Sequence, residues 1–207
     1  MAEPTSKRRT KDNYNKRFSA RLESWLEGDE SKTIGALTDL IGEKSFALII
    51  MLLLFPSALP IPTGGVTHIL ELIAALVACQ MILGRQELWL PRRFRDHDLG
   101  EAVTGKAMPV IIRRVRWFER WARPRLAALL DTRAARSGLA VLLLLFIAAA
   151  FLAPPFSGLD TLPSIGVVIL CLGIIFSDVV IVAAGVTAGV VGIGLVVVLG
   201  SAAWSFL

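Results

Sequence analysis

The sequence predicts an all-α integral membrane protein: two tandem proline-broken helical hairpins, a C-terminal spanning helix and a basic interfacial helix. Three observations predict it. Apolar residues make up 55% of the 207-residue chain, gathered into blocks rather than spread as in a soluble domain. One block, Val179 to Gly200, runs 22 residues without a charge, more than a soluble core can hide. The other blocks are interrupted twice, at Pro60-Ile61-Pro62-Thr63-Gly64-Gly65 and at Ala153-Pro154-Pro155.

Charge sets the expected topology. The formal charge of +5 comes from 22 Lys and Arg residues, and none of them lies beyond Arg136. Basic residues that flank apolar runs read as positive-inside loops rather than as a nucleic-acid surface, so no nucleic-acid partner is expected. The partners this charge implies are the lipid bilayer and its anionic head groups. The first 45 residues are polar and show no signal-peptide pattern, so the first apolar run is expected to direct insertion. The expected location is a bacterial inner membrane, multi-pass, with the N-terminus cytoplasmic.

Residues 1 to 32 read as a basic, largely disordered cytoplasmic tail holding a short amphipathic helix, with Phe18, Leu22, Trp25 and Leu26 at helical spacing. Residues 33 to 207 read as one membrane domain. A second amphipathic helix over Thr33 to Glu43 opens it. Repeat one covers 45 to 84. Its first run, Phe46 to Leu59, is 14 residues and reaches only about 21 Å, short of a hydrocarbon core of roughly 30 Å. Pro56 kinks or ends a helix there. After the first break, Val66 to Gly84 supplies 19 mostly apolar residues, enough to span.

The linker, 85 to 136, changes character, with 13 Lys and Arg against six Asp and Glu. Within it Met108 to Leu130 sets Ile111, Val115, Phe118, Ala122 and Leu126 on one helical face. Arg113, Arg114, Arg116, Glu119, Arg120 and Arg123 fill much of the remainder, and Pro124 is expected to kink or split the helix. Trp89, Trp117 and Trp121 with Arg113, Arg114, Arg116 and Arg120 mark a membrane-surface segment.

Repeat two covers 137 to 177, with a short first run from Gly138 to Leu152 and a second from Leu162 to Phe176. A constant offset of 93 lays Pro62 on Pro155, Gly65 on Gly158, Thr67 on Asp160 and Gly84 on Ser177. The offset predicts an internal duplication whose hairpins either cross or re-enter the bilayer. The last helix, 179 to 204, carries Gly185, Gly189 and Gly192 on a small-residue stripe suited to close helix packing, and a homo-oligomer is compatible with it.

The stretch Gln80 to Pro91, QMILGRQELWLP, resembles the bacterial ExoD family of exopolysaccharide-synthesis membrane proteins. The Pro60-Ile61-Pro62 break, Phe176 to Asp178, and Arg116-Trp117 through Arg123-Pro124-Arg125 resemble it as well. Together they cover about residues 33 to 200. The resemblance implies an inner-membrane protein that takes part in making or exporting surface polysaccharide, with that machinery as a partner. It brings no catalytic residue. Thr67, His68 and Glu71 depart from the more apolar helix start expected of the family.

The candidate site is the pair of breaks: Pro60, Pro62, Gly64, Gly65, Thr67, His68 and Glu71 with Pro154, Pro155, Gly158 and Asp160. Broken helices free backbone groups that can bond an anion or a sugar-lipid head group. Glu71 is the one carboxylate in the first repeat's apolar core, and His68 precedes it by one turn on the same face. Asp160 is expected to cap the following helix. Cys79 and Cys171 read as small buried hydrophobes. No nucleophile elbow, phosphate loop, metal-ligand spacing or paired carboxylates occur, so neither enzyme activity, metal nor cofactor is expected. Three functions fit: handling a lipid-linked intermediate, ion- or proton-coupled transport through Glu71, His68 and Asp160, or scaffolding through the basic helix.

Overall fold

The computed structural model describes residues 18–29, 31–42, 44–59, 66–85, 88–89, 95–98, 100, 104–105, 108–121, 132–153 and 157–205. Eight helices account for nearly all of these, and no strand occurs among the described residues. In chain order they are α1 Phe18–Glu27, α2 Ile34–Ile41, α3 Lys44–Leu54 and α4 Val66–Ile82, then α5 Met108–Trp121, α6 Arg133–Leu152, α7 Thr161–Phe176 and α8 Val179–Ser205. They divide into two compact units, one within residues 1–41 and 90–122, the other within 42–89 and 123–207. The first unit groups the linker helix with the N-terminal helices.

In the first unit α1 packs on α5 and, less extensively, on α2. Leu22 and Trp25 are buried on α1, as their spacing predicts. Helix α2 starts on Thr33, whose Oγ1 accepts from the Ala36 amide at 3.2 Å, while the Ile34 amide donates to the His97 carbonyl. A side chain at Gly35 would meet Arg95 at 2.5 Å, so the residue at this turn must be glycine for Arg95 to reach Asp39 at 2.9 Å. On α5 the inward residues are Met108 and Ile112, with Val115 and Glu119 half-buried and Phe118 exposed. Of the expected face Val115 is half-buried but Phe118 is exposed, and Met108, Ile112 and Glu119 turn inward beside Val115. The cause is polar: Glu119 accepts from the Ser19 amide and hydroxyl, and Arg116 reaches both oxygens of Glu23 at 2.7 Å. Ala122, Arg123, Pro124 and Leu126 lie outside the described residues.

The second unit contains the long apolar helices. Its most extensive packing is α7 on α8, followed by α4 on α6 and α3 on α7. Phe46, Ile50, Leu54, Leu143, Phe146, Ile147 and Leu170 form its core. Helix α3 ends at Leu54 and the chain turns through residues 55–59, as a proline at position 56 requires. Helix α4 has 17 residues, about 26 Å, and so falls short of the span its apolar run suggested. The last two residues of that run form its terminating turn. Helix α6 corrects the opposite error. The run from Gly138 looks short, but Thr132 caps the helix by accepting from the Ala135 amide at 3.2 Å and adds a turn and a half ahead of it. The result is 20 residues. Among the described residues two helices are thus long and apolar enough to cross a membrane, α6 over Ala134–Leu152 and α8 over Val179–Leu199.

Helices α4 and α7 end alike. The Gly84 amide donates to Met81 and the Arg85 amide to Gln80; the Ser177 amide donates to Ile174 and the Asp178 amide to Gly173. Each pair is the i−3 and i−5 bonding of a Schellman cap, with Gly84 (φ 72°) and Ser177 (φ 54°) in the left-handed region. All four positions match at the offset of 93. Serine is strained in that region, and Lys44 Nζ supports the turn by donating to Ile175 O at 2.7 Å and Ser177 Oγ at 3.0 Å. A cation at a helix C-terminus stabilises by up to about 1 kcal/mol. Lys44→Met is accordingly expected to lower stability by about that amount in a thermal unfolding measurement, and an unchanged midpoint would show that the contact contributes nothing.

Candidate functional site

The polar centre of the second unit is built from three side chains on two sides of the first break. Ser57 stands in the turn that follows α3. Thr67, His68 and Glu71 occupy the first two turns of α4. Thr67 and Glu71 point inward, and Glu71 is 0% exposed. One of its oxygens accepts from the Ser57 hydroxyl at 3.1 Å, and the other lies 2.8 Å from His68 Nδ1. The i, i+3 spacing of His68 and Glu71 puts both on one face, as the sequence implies.

The His68 side chain is 26% exposed, at the border between the inward face of α4 and an outward apolar face of Ile69, Leu72, Ile73 and Leu76. Its ring meets Phe151 edge-on, with centroids 5.4 Å apart. Since His68 begins α4 and Phe151 ends α6, these helices run antiparallel. The carboxylate therefore ties the two sides of the break together, while the imidazole connects it to the outside. A buried carboxylate holds such a place only when its oxygens are hydrogen-bonded, and both are.

Pro60, Pro62, Gly64, Gly65, Pro154 and Pro155 lie outside the described residues. Gly158 has φ 69°, a turn conformation that glycine adopts without strain. Asp160 corrects an expectation: it precedes α7 but is itself helical, and its side chain makes no capping bond. Capping requires an extended backbone at that position. Cys171 is buried, whereas Cys79 is exposed on the outward face of α4, contrary to its reading as a buried hydrophobe.

Gly185, Gly189 and Gly192 all face α7 or α6. A side-chain carbon at Gly185 would come within 2.5 Å of the Leu170 amide, and one at Gly192 within 2.5 Å of the Pro163 nitrogen. One at Gly189 would collide with the Phe146 ring. Two glycines on the opposite helix were not singled out by sequence. Gly166 and Gly173 sit as tightly, against Gly189 and Val182. Ser57 and Phe151 were missed as well. A small polar residue inside an apolar run was the signal available for Ser57; Phe151 carried none.

Of the expected membrane-surface residues, Trp89, Arg113, Arg114, Arg116, Trp117 and Arg120 are exposed, and the Trp121 side chain lies outside the described ones. The Trp89 amide donates to Gln80 Oε1 at 2.9 Å, which returns the chain to the end of α4. That contact explains the glutamine of the QMILGRQELWLP stretch.

A family model described as exopolysaccharide synthesis, ExoD, matches residues 18–198. An uncharacterized protein of Synechocystis sp. is 30% identical over 146 residues, which is 69% of this chain and 66% of that protein. Protein ExoD of Rhizobium meliloti is 32% identical over 154 residues, 70% of this chain and 60% of that protein. The matches thus span somewhat less than two thirds of the length of these relatives. No solved structure matches the chain.

Proposed function

The chain belongs to the ExoD exopolysaccharide-synthesis family, and from that premise we propose that it is a multi-pass protein of the bacterial inner membrane, N-terminus cytoplasmic, that handles a lipid-linked intermediate without catalysing a reaction. The observation that carries this reading is the Ser57–Glu71–His68 cluster, a polar centre at the edge of a helix break among otherwise apolar helices. A polar head group would be held there, while the outward apolar face of α4 accommodates a hydrocarbon tail.

Several features support membrane residence. Only 39% of the α6 span and 22% of the α8 span is covered by the protein, whereas the core helix of a soluble protein is mostly covered. The large hydrophobic side chains that face outward there are Val, Leu and Phe, which lipid accommodates at no cost. With 27 residues α8 reaches about 40 Å, which a tilt fits to the bilayer. The matching caps of α4 and α7 at one offset support an internal duplication and hence paired hairpins. The α5 face of Arg113, Arg114, Trp117 and Arg120 suits anionic head groups.

In a strain lacking the gene, the wild-type chain is expected to restore secreted polysaccharide and to be recovered with the membranes. Ser57→Ala combined with His68→Ala, which strips Glu71 of its partners, is expected to restore none at matched membrane levels. Full restoration by the double variant, or recovery of the wild-type protein in the soluble fraction, would overturn the proposal.

A further inference from the structure

The helices of the second unit, α3, α4, α6, α7 and α8, contain one carboxylate and one imidazole between them, and the two are hydrogen-bonded to each other. Helix α4 packs on α3 and α6. The charged groups these bring are remote from Glu71. Helix α3 contributes Lys44, bound at its far end to Ile175 and Ser177, and α6 contributes Arg133 and Arg136 in its first turn, at the end away from Phe151. Helix α7, which packs on α3 and α6, adds Cys171 and, just before its start, Asp160. Glu71 therefore has no fixed cation beside it among the described residues. Its partners are a hydroxyl and an imidazole, and of these the His68 ring is the group able to bring a proton to it.

We infer that Glu71 is a proton-binding site loaded and unloaded through His68, whether or not the chain handles a polysaccharide intermediate. His68 is suited to the relay because its two nitrogens face different surroundings. Nδ1 is committed to Glu71, Nε2 makes no hydrogen bond among the described residues, and the ring is the part of the cluster that opens outward. A proton arriving from water adds to Nε2. The Nδ1 proton then passes to the near oxygen of Glu71, leaving a neutral imidazole protonated on Nε2 and a neutral carboxyl group. Unloading reverses both transfers, so one proton moves per cycle and no other reactant is consumed. Ser57 keeps donating to the far oxygen throughout, which holds the acceptor in place in both states. A purely structural tie would need the same bonds but would have no use for an exposed second nitrogen.

Infrared difference spectroscopy of the full chain in phospholipid vesicles, between acidic and alkaline buffer, tests this. The wild-type protein is expected to show a buried, protonated-carboxyl band that shifts when glutamate is isotope-labelled, is lost in Glu71→Gln and persists in Asp160→Asn. His68→Gln should retain the band but slow its appearance after a pH jump by about a hundredfold, the usual contribution of a positioned acid–base group. A spectrum without a pH-dependent buried carboxyl band overturns the inference, as does a band that survives Glu71→Gln or loading that His68→Gln leaves at the wild-type rate. Should Glu71→Gln fail to fold, the glutamate label and the His68→Gln rate decide the matter by themselves.

Discussion

Gly166→Ala is expected to destabilise the second unit by about 3 kcal/mol, because overpacking a close helix contact costs at the upper end of the usual range when backbone is what blocks it. The added methyl would lie 2.5 Å from both the Cα and the amide nitrogen of Gly189, and 3.2 Å from the Gly185 carbonyl. No rotamer change relieves such a clash, so α7 and α8 must move apart. In the proposed bilayer setting lipid would give helices little hydrophobic reason to associate, which leaves close backbone approach to hold this pair. Alanine's better helix propensity returns at most about 1 kcal/mol, which does not offset the loss. Gly194 is the internal control, since nothing lies within 4 Å of its missing side chain. Gly194→Ala should leave stability unchanged or raise it slightly. Thermal unfolding in detergent measures both, and equal effects at the two positions would refute the packing account.

The second large effect is expected at Glu71. Glu71→Leu fills the space but leaves the Ser57 hydroxyl and His68 Nδ1 without their partner, at about 1–3 kcal/mol for each buried group so abandoned. The expected loss is about 2–6 kcal/mol with both groups stranded, and about 1–3 kcal/mol if His68 turns towards the outside. Glu71→Gln should cost about 1 kcal/mol, because its carbonyl accepts from Ser57 and its amide donates to the other tautomer of His68. The order wild type, Gln, Leu in unfolding midpoint is the discriminating result. A Leu variant as stable as wild type would mean that Ser57 and His68 do not depend on Glu71 for their bonds.

Much of the fold was legible in residue order. Pro56 predicted the end of α3, and the charge-free run from Val179 predicted α8, because both rest on local physics: a missing amide and a lack of polar groups. The small-residue stripe at Gly185, Gly189 and Gly192 was legible for the same reason, being a pattern on one helix. Its counterpart Gly166 and Gly173 was not, because only the facing of two helices turns two glycines into a contact. The length of α6 was missed because a threonine cap adds residues that carry arginine and do not look apolar. The face of α5 was misjudged because Ser19, on another helix, draws Glu119 inward. At the candidate site His68 and Glu71 were found by spacing, whereas Ser57 required the chain to turn back on itself.

By itself the sequence determined the all-helical character, the apolar segments, the family and the pairing of His68 with Glu71. All of these depend on composition or on neighbours within a turn. The tertiary structure alone decided that Glu71 is fully enclosed, that Ser57 completes its bonds, that Phe151 meets His68 edge-on, and that α7 and α8 meet glycine to glycine. Those outcomes depend on residues brought together from separate helices, where burial and backbone distance are set by how the helices pack.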